Sequence, residues 1–223
     1  MKRPSPHSCA AGTLALLLAL TGTAAAQQPP AGGVQTAATL SPAQQARADS
    51  GRPPYTSADV AFISGMIGHH AQAVLMAGWA PSHGASAGVR ALCERIAVAQ
   101  RDEIAFMQRW LRERHEPVPP ADPRGHLMAG MDHPMLMPGM LTPEQMAELD
   151  AARGPEFDRL FLRFMIQHHQ GAITMVDQLF SAPGAAQDGP VFRFAVDVHA
   201  DQTTEIDRMN LMLDAMSGDG SRP

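Results

Sequence analysis

The sequence predicts an all-α protein: a four-helix bundle made of two repeated helical hairpins joined by a Met-rich crossover loop. Apolar residues recur at helical spacing in four long segments, and prolines separate those segments. Runs of alternating, strand-like residues are absent from the sequence. The second half of the chain also repeats a pattern of the first. Since neither hairpin could bury its apolar face alone, we expect the two to pack together.

The N-terminal residues predict a removable export signal over residues 1–26. Lys2 and Arg3 form a basic start, residues 13–20 (TLALLLAL) form a short apolar run, and alanines precede Gln27 at a cleavage site. The apolar run is too short to span a bilayer, so we expect a periplasmic or secreted chain with no membrane insertion after cleavage. Residues 27–54 are rich in Pro, Gly, Ala and Gln, which predicts a flexible linker.

The charge and cysteine content exclude several classes of partner. Without Lys2 and Arg3, 15 of the 17 cationic residues remain against 22 acidic ones, a net charge near −7. That balance argues against nucleic acid and anionic membranes as partners. Cys93 is the only cysteine after cleavage, so neither an intrachain disulfide nor a thiolate metal cluster can form. The chain has 15 methionines but only one tyrosine and two tryptophans.

The domain predicted over residues 55–216 divides into hairpin 55–114, crossover 115–141 and hairpin 142–216. Thr56 or Ser57 is a good N-cap for the first helix, and a second helix is predicted from about Ser86 to Arg114. Prolines at 117, 119, 120 and 123 prevent its continuation. In the second hairpin, Thr142 and Gln145 predict a capped short helix. Long helices at 156–180 and 190–216 and a disordered tail at 217–223 follow.

The repeat is visible residue by residue. Residues 62–76 (FISGMIGHHAQAVLM) align with residues 161–175 (FLRFMIQHHQGAITM) at an offset of 99. A weaker match at an offset of 102 pairs Gln100, Glu103, Ile104 and Met107 with Gln202, Glu205, Ile206 and Met209. Each half therefore carries the same pattern on both of its long helices.

The two histidine pairs and their flanking methionines predict a metal site. At about 100° per residue, they face the core side of their helices. These residues are His69, His70, Met66 and Met76 in the first repeat, and His168, His169, Met165 and Met175 in the second. A lone buried histidine or a methionine stripe usually means packing. Packing alone does not readily explain two pairs of adjacent histidines. Burying four imidazoles carries a desolvation free-energy cost unless each ring nitrogen has a hydrogen-bond or metal partner.

The flanking residues indicate which metal. Bundle sites for iron or manganese use Glu-x-x-His, but a methionine takes the glutamate position in both repeats. Thioether with imidazole favours Cu(I), with Ag(I) as a chemical mimic, and zinc remains possible through the histidines alone. Met107 and Met209 are interpreted as core residues that could complete a sulfur-rich shell. Glu103 and Glu205 either accept a hydrogen bond from a ligand imidazole or reach solvent at a groove edge.

The crossover predicts a second copper-binding element. Its residues 126–140 (HLMAGMDHPMLMPGM) contain prolines and glycines, so we expect a mobile segment with exposed thioethers that capture Cu(I). The candidate ligands are His126, Met128, Met131, His133, Met135, Met137 and Met140. Two alternatives remain open, namely low-complexity drift and a methionine surface that binds peptides.

The strings MIGHHAQAVLM, FDRLFLRFMIQHHQGAITM and QTTEIDRM, with LTPEQMAEL, resemble a bacterial family of domains of unknown function, numbered 305. The resemblance covers about residues 55–216. It implies a ferritin-like four-helix fold and a periplasmic, non-enzymatic protein for copper binding or resistance. The first repeat departs from the pattern, because Gly65, Gly68 and Gly78 weaken its helix and Ala71-Gln72 replaces Gln170-Gly171. We therefore expect tighter binding at the second histidine pair.

Together these features predict an exported protein that buffers copper or passes it to a periplasmic exporter or chaperone. One alternative is a bundle metal oxidase acting on Cu(I), which needs an open coordination position and turnover with oxygen. The other is a metal-free periplasmic interaction module. The sequence contains no phosphate-binding glycine loop, no G-x-S-x-G elbow and no H-E-x-x-H motif.

Overall fold

The computed structural model describes residues 50–51, 54–124 and 136–218, and this part of the chain contains five helices and no strands. The helices are α1 (Ser57–Gly78), α2 (Ala87–Glu113), α3 (Pro143–Ala151), α4 (Pro155–Ser181) and α5 (Gly189–Gly218). The all-α prediction is confirmed for these residues. The predicted signal peptide, most of the linker and the last five residues of the predicted tail lie outside them, as do His126, Met128, Met131, His133 and Met135.

Helix α1 begins where the sequence predicts, with Thr56 as its N-cap. The Thr56 backbone N–H donates to Asp59 Oδ2 at 2.7 Å, and the Asp59 N–H donates to Thr56 Oγ1 at 3.3 Å. These two bonds form a capping box that satisfies free N–H groups of the first turn. Asp59 Oδ1 also accepts from the Ala186 N–H at 2.7 Å, which ties the start of α1 to the turn before α5.

Helix α3 also starts at its predicted cap. Thr142 and Gln145 exchange two hydrogen bonds of 3.3 and 3.0 Å, and Pro143 occupies the first turn, where its missing N–H costs nothing. The chain then turns through Gly154, whose φ of +58° favours glycine, before α4 begins at Pro155.

The long helices pack in pairs, α1 against α2 and α4 against α5, and α1 also contacts α4. Their buried apolar residues form two clusters. The first apolar cluster includes Phe62, Ile67, Met107, Ala172 and Val198. The second apolar cluster includes Ala73, Ala97, Phe161, Met165 and Met209. Each long helix contributes to both clusters. The middle segments of the four helices, which lie between the clusters, therefore form a separate layer.

Among the described residues, one helix is long and apolar enough to cross a membrane by length and composition, and that helix is α1. Of its most apolar window, 72% is buried inside the fold, as in the core helix of a folded domain. We therefore interpret its hydropathy as packing.

Candidate metal centre

A layer of buried polar side chains separates the two apolar clusters. Between the two clusters, each of the four long helices carries two polar residues that face this layer, and two of the eight are half-buried glutamates. The buried Gln72 of α1 also lies in this interval. We call these eight residues the histidine layer: His69 and His70 on α1, Gln100 and Glu103 on α2, His168 and His169 on α4, and Gln202 and Glu205 on α5. All four histidines are completely buried. The two repeats therefore bring both histidine pairs to one layer.

The inner histidines, one from each repeat, contact each other. The ring centroids of His69 and His168 are 3.8 Å apart, with 41° between the ring planes. His69 Nε2 lies 3.0 Å from the Pro138 carbonyl oxygen, and His168 Nε2 lies 3.0 Å from the His69 carbonyl oxygen. Because a carbonyl oxygen only accepts hydrogen bonds, each Nε2 carries the proton and donates it. In a neutral ring, Nδ1 is then the unprotonated nitrogen.

The outer histidines contact carboxylates. His169 Nε2 donates to Glu205 Oε2 at 2.6 Å. His70 Nε2 lies 2.7 Å from Glu103 Oε2, but its N–H is poorly directed at that oxygen, so the contact is an ion-pair distance without hydrogen-bond geometry. The two glutamate side chains are 22% and 24% exposed. Glu103 and Glu205 thus reach both an imidazole and solvent, combining the two readings that the sequence left open.

These contacts join the six side chains into one row. The order is Glu103, His70, His69, His168, His169 and Glu205, with ring centroids 6.2 Å apart within the first pair and 6.3 Å within the second. The Nδ1 atoms of all four rings are buried without a hydrogen-bond partner in the described part of the chain. An imidazole whose Nε2 donates to a carbonyl or a carboxylate is oriented to bind a metal through Nδ1.

Burial keeps the inner rings neutral. Desolvation, with the neighbouring His70, lowers the pKa of His69 from 6.5 to about 3. Desolvation, with the neighbouring His69, lowers the pKa of His168 well below its ordinary value. Neutral imidazole is the form that ligates metals. Among the described residues, however, no three His, Cys, Asp or Glu side chains are grouped as a metal site requires.

The core methionines lie on both sides of the histidine layer. Met66, Met107 and Met175 belong to the first apolar cluster, whereas Met76, Met165 and Met209 belong to the second. None of the six is more than 5% exposed. The burial of Met107 and Met209 agrees with their interpretation as core residues. The flanking thioethers of each repeat are divided between the two clusters, instead of meeting on one side of the histidines.

The prediction that the crossover methionines are exposed is wrong for the two that the structure describes. Met140 is only 4% exposed, and Met137 packs against the first apolar cluster. A Cβ on Gly65 would lie 3.0 Å from Met137 Sδ and 3.5 Å from Met175 Cε, so the two methionines meet above that glycine. Met137 and Met175 also line a cavity of about 260 Å³. The described residues 136–141 are packed because their backbone is hydrogen-bonded to side chains of α1 and α4.

Gln72 provides much of that attachment, a role that the sequence analysis did not predict. Its Nε2 donates to the carbonyl oxygens of Pro123 and Leu141, both at 3.1 Å, while its Oε1 accepts from the Leu141 N–H at 2.7 Å. The side chain therefore holds both ends of the crossover. Its counterpart in the second repeat is Gly171, so the repeat itself could not identify this residue.

Two buried glutamines of the layer were also missed, although the weaker repeat match contained them. Gln100 and Gln202 are each 3% exposed, and the Oε1 atom of each has no hydrogen-bond partner among the described residues. Nearby, burial and the neighbouring Glu103, Asp197 and Glu205 raise the pKa of Asp201. The exposed edge of the layer is therefore rich in carboxylates.

Cys93 takes no part in the layer. It is 2% exposed in the second apolar cluster, and burial raises the pKa of its thiol to about 12. A protonated, buried thiol is unreactive.

The family is established by a model of a domain of unknown function, DUF305, which matches residues 59–213. The chain belongs to the DUF305 family. A search of curated proteins finds none that matches it. Among solved structures, a DUF305 protein of Streptomyces coelicolor described as secreted is 29% identical, with a TM-score of 0.61, and the match covers 72% of this chain and 94% of that one.

Two further structures extend the comparison. A DUF305 fragment from Deinococcus radiodurans is 28% identical, with a TM-score of 0.61, and the match covers 73% of this chain and 99% of the fragment. CopM in its Cu(I)-bound form is 26% identical, with a TM-score of 0.54, and the match covers 73% of this chain and 98% of CopM. CopM has also been solved with Cu(II) and with silver bound. The all-helical fold of this DUF305 protein is therefore shared with a protein that binds copper.

Proposed function

We propose that this DUF305 protein is an exported, periplasmic copper-binding protein that buffers Cu(I) or transfers it, and that it is not an enzyme. One observation carries the proposal: four imidazoles in one buried layer each have a buried Nδ1 without a hydrogen-bond partner among the described residues. In ligand histidines, the other ring nitrogen typically donates to a carboxylate or a backbone carbonyl. Both kinds of acceptor face the Nε2 atoms of this layer.

The donor set suits copper better than harder metals. The inner imidazoles are neutral at physiological pH, and Met66 and Met165 precede His69 and His168 by one helical turn. Thioether with imidazole favours Cu(I), and Ag(I) is expected to bind as its mimic. Zinc would use the histidines without the sulfur atoms. We propose Met76, Met175, Met107 and Met209 as further sulfur donors above and below the layer.

The crossover is proposed to load the layer. Met137 and Met175 line the same cavity. The next residue, Pro138, accepts a hydrogen bond from His69 Nε2 through its carbonyl oxygen. A soft cation held by the two thioethers would therefore lie close to the inner imidazoles. The crossover residues outside the described range remain predicted as capture ligands, whereas the buried Met140 is not proposed for this role. The partner that receives the copper is proposed to be a periplasmic exporter or chaperone.

Similarity to other family members supports the proposal. CopM, at 26% identity, binds Cu(I), Cu(II) and silver, and the Streptomyces coelicolor relative is described as secreted. The pairing of α1 with α2 and of α4 with α5 supports a ferritin-like four-helix bundle made of two hairpins. In such a bundle, metal sites are built in the core from side chains on facing helices.

An anaerobic Cu(I) titration of the exported protein against a chromophoric chelator tests the proposal. In one variant, His69, His70, His168 and His169 are all changed to Ala. A milder variant, His168→Gln with His169→Gln, guards against unfolding, which circular dichroism would detect. The matched control is the double variant His199→Ala with His115→Ala. Both histidines are exposed, His199 on α5 and His115 in the turn after α2.

We expect the parent and the control to bind tightly and the layer variants to bind at least 100-fold more weakly, about 2.7 kcal/mol or more. Equal, weak Cu(I) binding by all four proteins would indicate that copper binds only to the crossover. That result would overturn the proposed role of the histidine layer in Cu(I) binding. Steady oxygen consumption in the presence of Cu(I) would instead favour the metal oxidase.

A further inference from the structure

Gln100 and Gln202 occupy equivalent positions in the two hairpins, and both have the same unusual environment. Each side chain is 3% exposed, and each Oε1 atom is buried without a hydrogen-bond donor among the described residues. A buried amide oxygen with no partner is costly, and native proteins contain few such groups. Its occurrence at both members of a repeated pair is unexpected if the glutamines only fill space. The same oxygen in each hairpin is available to a ligand.

Each glutamine shares a helix face with a glutamate, and that glutamate contacts a histidine of the same hairpin. Gln100 precedes Glu103 by three residues on α2, and residues at this spacing share a helix face. Glu103 Oε2 lies 2.7 Å from His70 Nε2. An amide oxygen, a carboxylate and an imidazole therefore come from one hairpin, and we call this set the first Gln–Glu–His group.

The second Gln–Glu–His group repeats this arrangement. Gln202 precedes Glu205 by three residues on α5, and Glu205 Oε2 lies 2.6 Å from His169 Nε2. Asp201 and Asp197 lie near this glutamate, at the partly exposed edge of the layer. The carboxylates give the layer a negative edge that attracts cations.

We propose that Gln100 and Gln202 are metal ligands, each completing a Gln–Glu–His group that binds a divalent cation such as Cu(II) or Zn(II). The cation replaces the proton between Nε2 and the carboxylate, and that proton moves to Nδ1 of the same ring. Oxygen and imidazole donors without thioether favour divalent over monovalent copper. The third donor is an amide oxygen, which agrees with the absence of any group of three His, Cys, Asp or Glu among the described residues.

The inference extends the proposed function, on which it rests for the role of the histidine layer in metal binding. Cu(I) is assigned to Nδ1 of the inner histidines with the methionines, whereas the divalent cations are assigned to Nε2 of the outer histidines. An outer ring that holds a divalent cation carries its proton on Nδ1 and is then closed to Cu(I). The first group is the more open of the two, because neither nitrogen of His70 has a well-directed partner in the described part of the chain.

Titration with Co(II), followed by its visible d–d absorption, tests the assignment, because Co(II) prefers nitrogen and oxygen donors to thioethers. The variants are Gln100→Leu and Gln202→Leu in the full exported chain. The matched control is Gln170→Leu, which changes an exposed glutamine next to His169. We expect two classes of Co(II) site in the parent and the control. Each layer variant should lose about 10- to 100-fold in affinity at one class only.

Two further measurements separate ligation from packing. The metal-free Leu variants should melt a few degrees above the parent, because an unpartnered buried oxygen has been removed. Gln100→Glu and Gln202→Glu keep an oxygen donor and should bind Co(II) at least as tightly as the parent. The assignment is overturned if both Leu variants bind Co(II) within twofold of the parent, or if the Glu variants lose binding as the Leu variants do.

The outcome is independent of the Cu(I) experiment. The Leu variants should bind Cu(I) within about twofold of the parent, since thioethers and inner imidazoles are intact. A parent that binds Cu(I) weakly but shows this Co(II) pattern would refute the proposed function and support the glutamine assignment.

Discussion

The two hairpins carry the same histidine pair but differ where the crossover lies against them. Gln72 in α1 corresponds to Gly171 in α4. Gln72 holds the backbone of Pro123 and Leu141, whereas a Cβ on Gly171 would lie 1.9 Å from the Pro138 carbonyl oxygen. At this repeat position, Gln72 holds the crossover backbone by hydrogen bonds, and we call it the clamp. Gly171 leaves room for the same backbone to approach the helix, and we call it the gap. A single crossover cannot contact two equivalent hairpins in the same way, so their sequences diverge at the contacts.

A second pair of positions shows the same effect. Gly65 in α1 corresponds to Phe164 in α4, and Met137 of the crossover packs above the glycine. On the other hairpin, the Gln167 side chain donates to the Gly139 carbonyl oxygen at 3.3 Å. Helix α1 is continuous over Ser57–Gly78 despite its glycines. At these positions, the departures from the repeat coincide with crossover contacts.

The inner histidines should contribute in the same direction to the pH dependence of stability in the two hairpins. The change in the free energy of unfolding with pH is the largest effect that we expect. The folded protein holds His69 and His168 neutral, with depressed pKa values, while both titrate near 6.5 once unfolded. Above pH 6.5, neither ring changes the stability of the metal-free protein. Between about pH 6.5 and 3, the unfolded state binds protons that the folded state does not, so stability falls as the pH falls.

The expected loss for His69 is about 1.4 kcal/mol per pH unit, or about 2 kcal/mol at pH 5, and His168 adds a loss of the same sign. Urea unfolding of the metal-free protein at pH 7 and pH 5 measures it. His69→Gln should reduce the loss by about 2 kcal/mol and His168→Gln should also reduce it, whereas His199→Gln, at an exposed position, should leave it unchanged. Unchanged pH dependence in either layer variant would show that the two hairpins differ even in their inner rings.

Replacing the helical glycines with alanine tests how tightly the crossover packs against each hairpin. In Gly171→Ala, the new methyl group collides with the backbone of Pro138, which cannot move without releasing the crossover. We expect a loss of about 3 kcal/mol in the free energy of unfolding, at the upper end for overpacking. In Gly65→Ala, the neighbour is the flexible Met137 side chain, so the change should stay within about 1 kcal/mol.

Gly78→Ala is the control for helix propensity, since a Cβ there meets no atom within 4 Å. It should be neutral or stabilising by up to about 1 kcal/mol. Urea unfolding of the three variants ranks them. Equal effects of Gly171→Ala and Gly65→Ala would mean that the crossover is held no more tightly on one hairpin than on the other.

The sequence predicted the features that depend on local spacing. Thr56 and Thr142 are caps because their side chains reach N–H groups three residues away. The histidine pairs were placed on the core side by helical periodicity, and their burial agrees with it. Such features involve neighbours in the chain, so pattern and propensity suffice to find them.

The attachment of the crossover could not be predicted in this way. Gln72 and Leu141 are 69 residues apart, and no periodicity connects a helical glutamine to the backbone of a distant loop. Without these bonds, a segment rich in proline and glycine reads as mobile, which led to the wrong expectation for Met137 and Met140. The weaker repeat match did contain Gln100, but an unpartnered oxygen becomes apparent only when the surrounding residues are placed.

Loss of the Gln72 hydrogen bonds should have the most local effect. Gln72→Leu keeps the size of the side chain but leaves the buried Leu141 N–H without its acceptor, which should cost about 2 kcal/mol. Hydrogen exchange locates the loss: the Leu141 amide should exchange faster, while amides near Gly171 on the other hairpin keep their protection. Gln170→Leu, at an exposed site, should change neither. If Gln72→Leu instead loosened the amides around Gly171 equally, the two hairpins would hold the crossover as one cooperative unit, and the division into clamp and gap would fail.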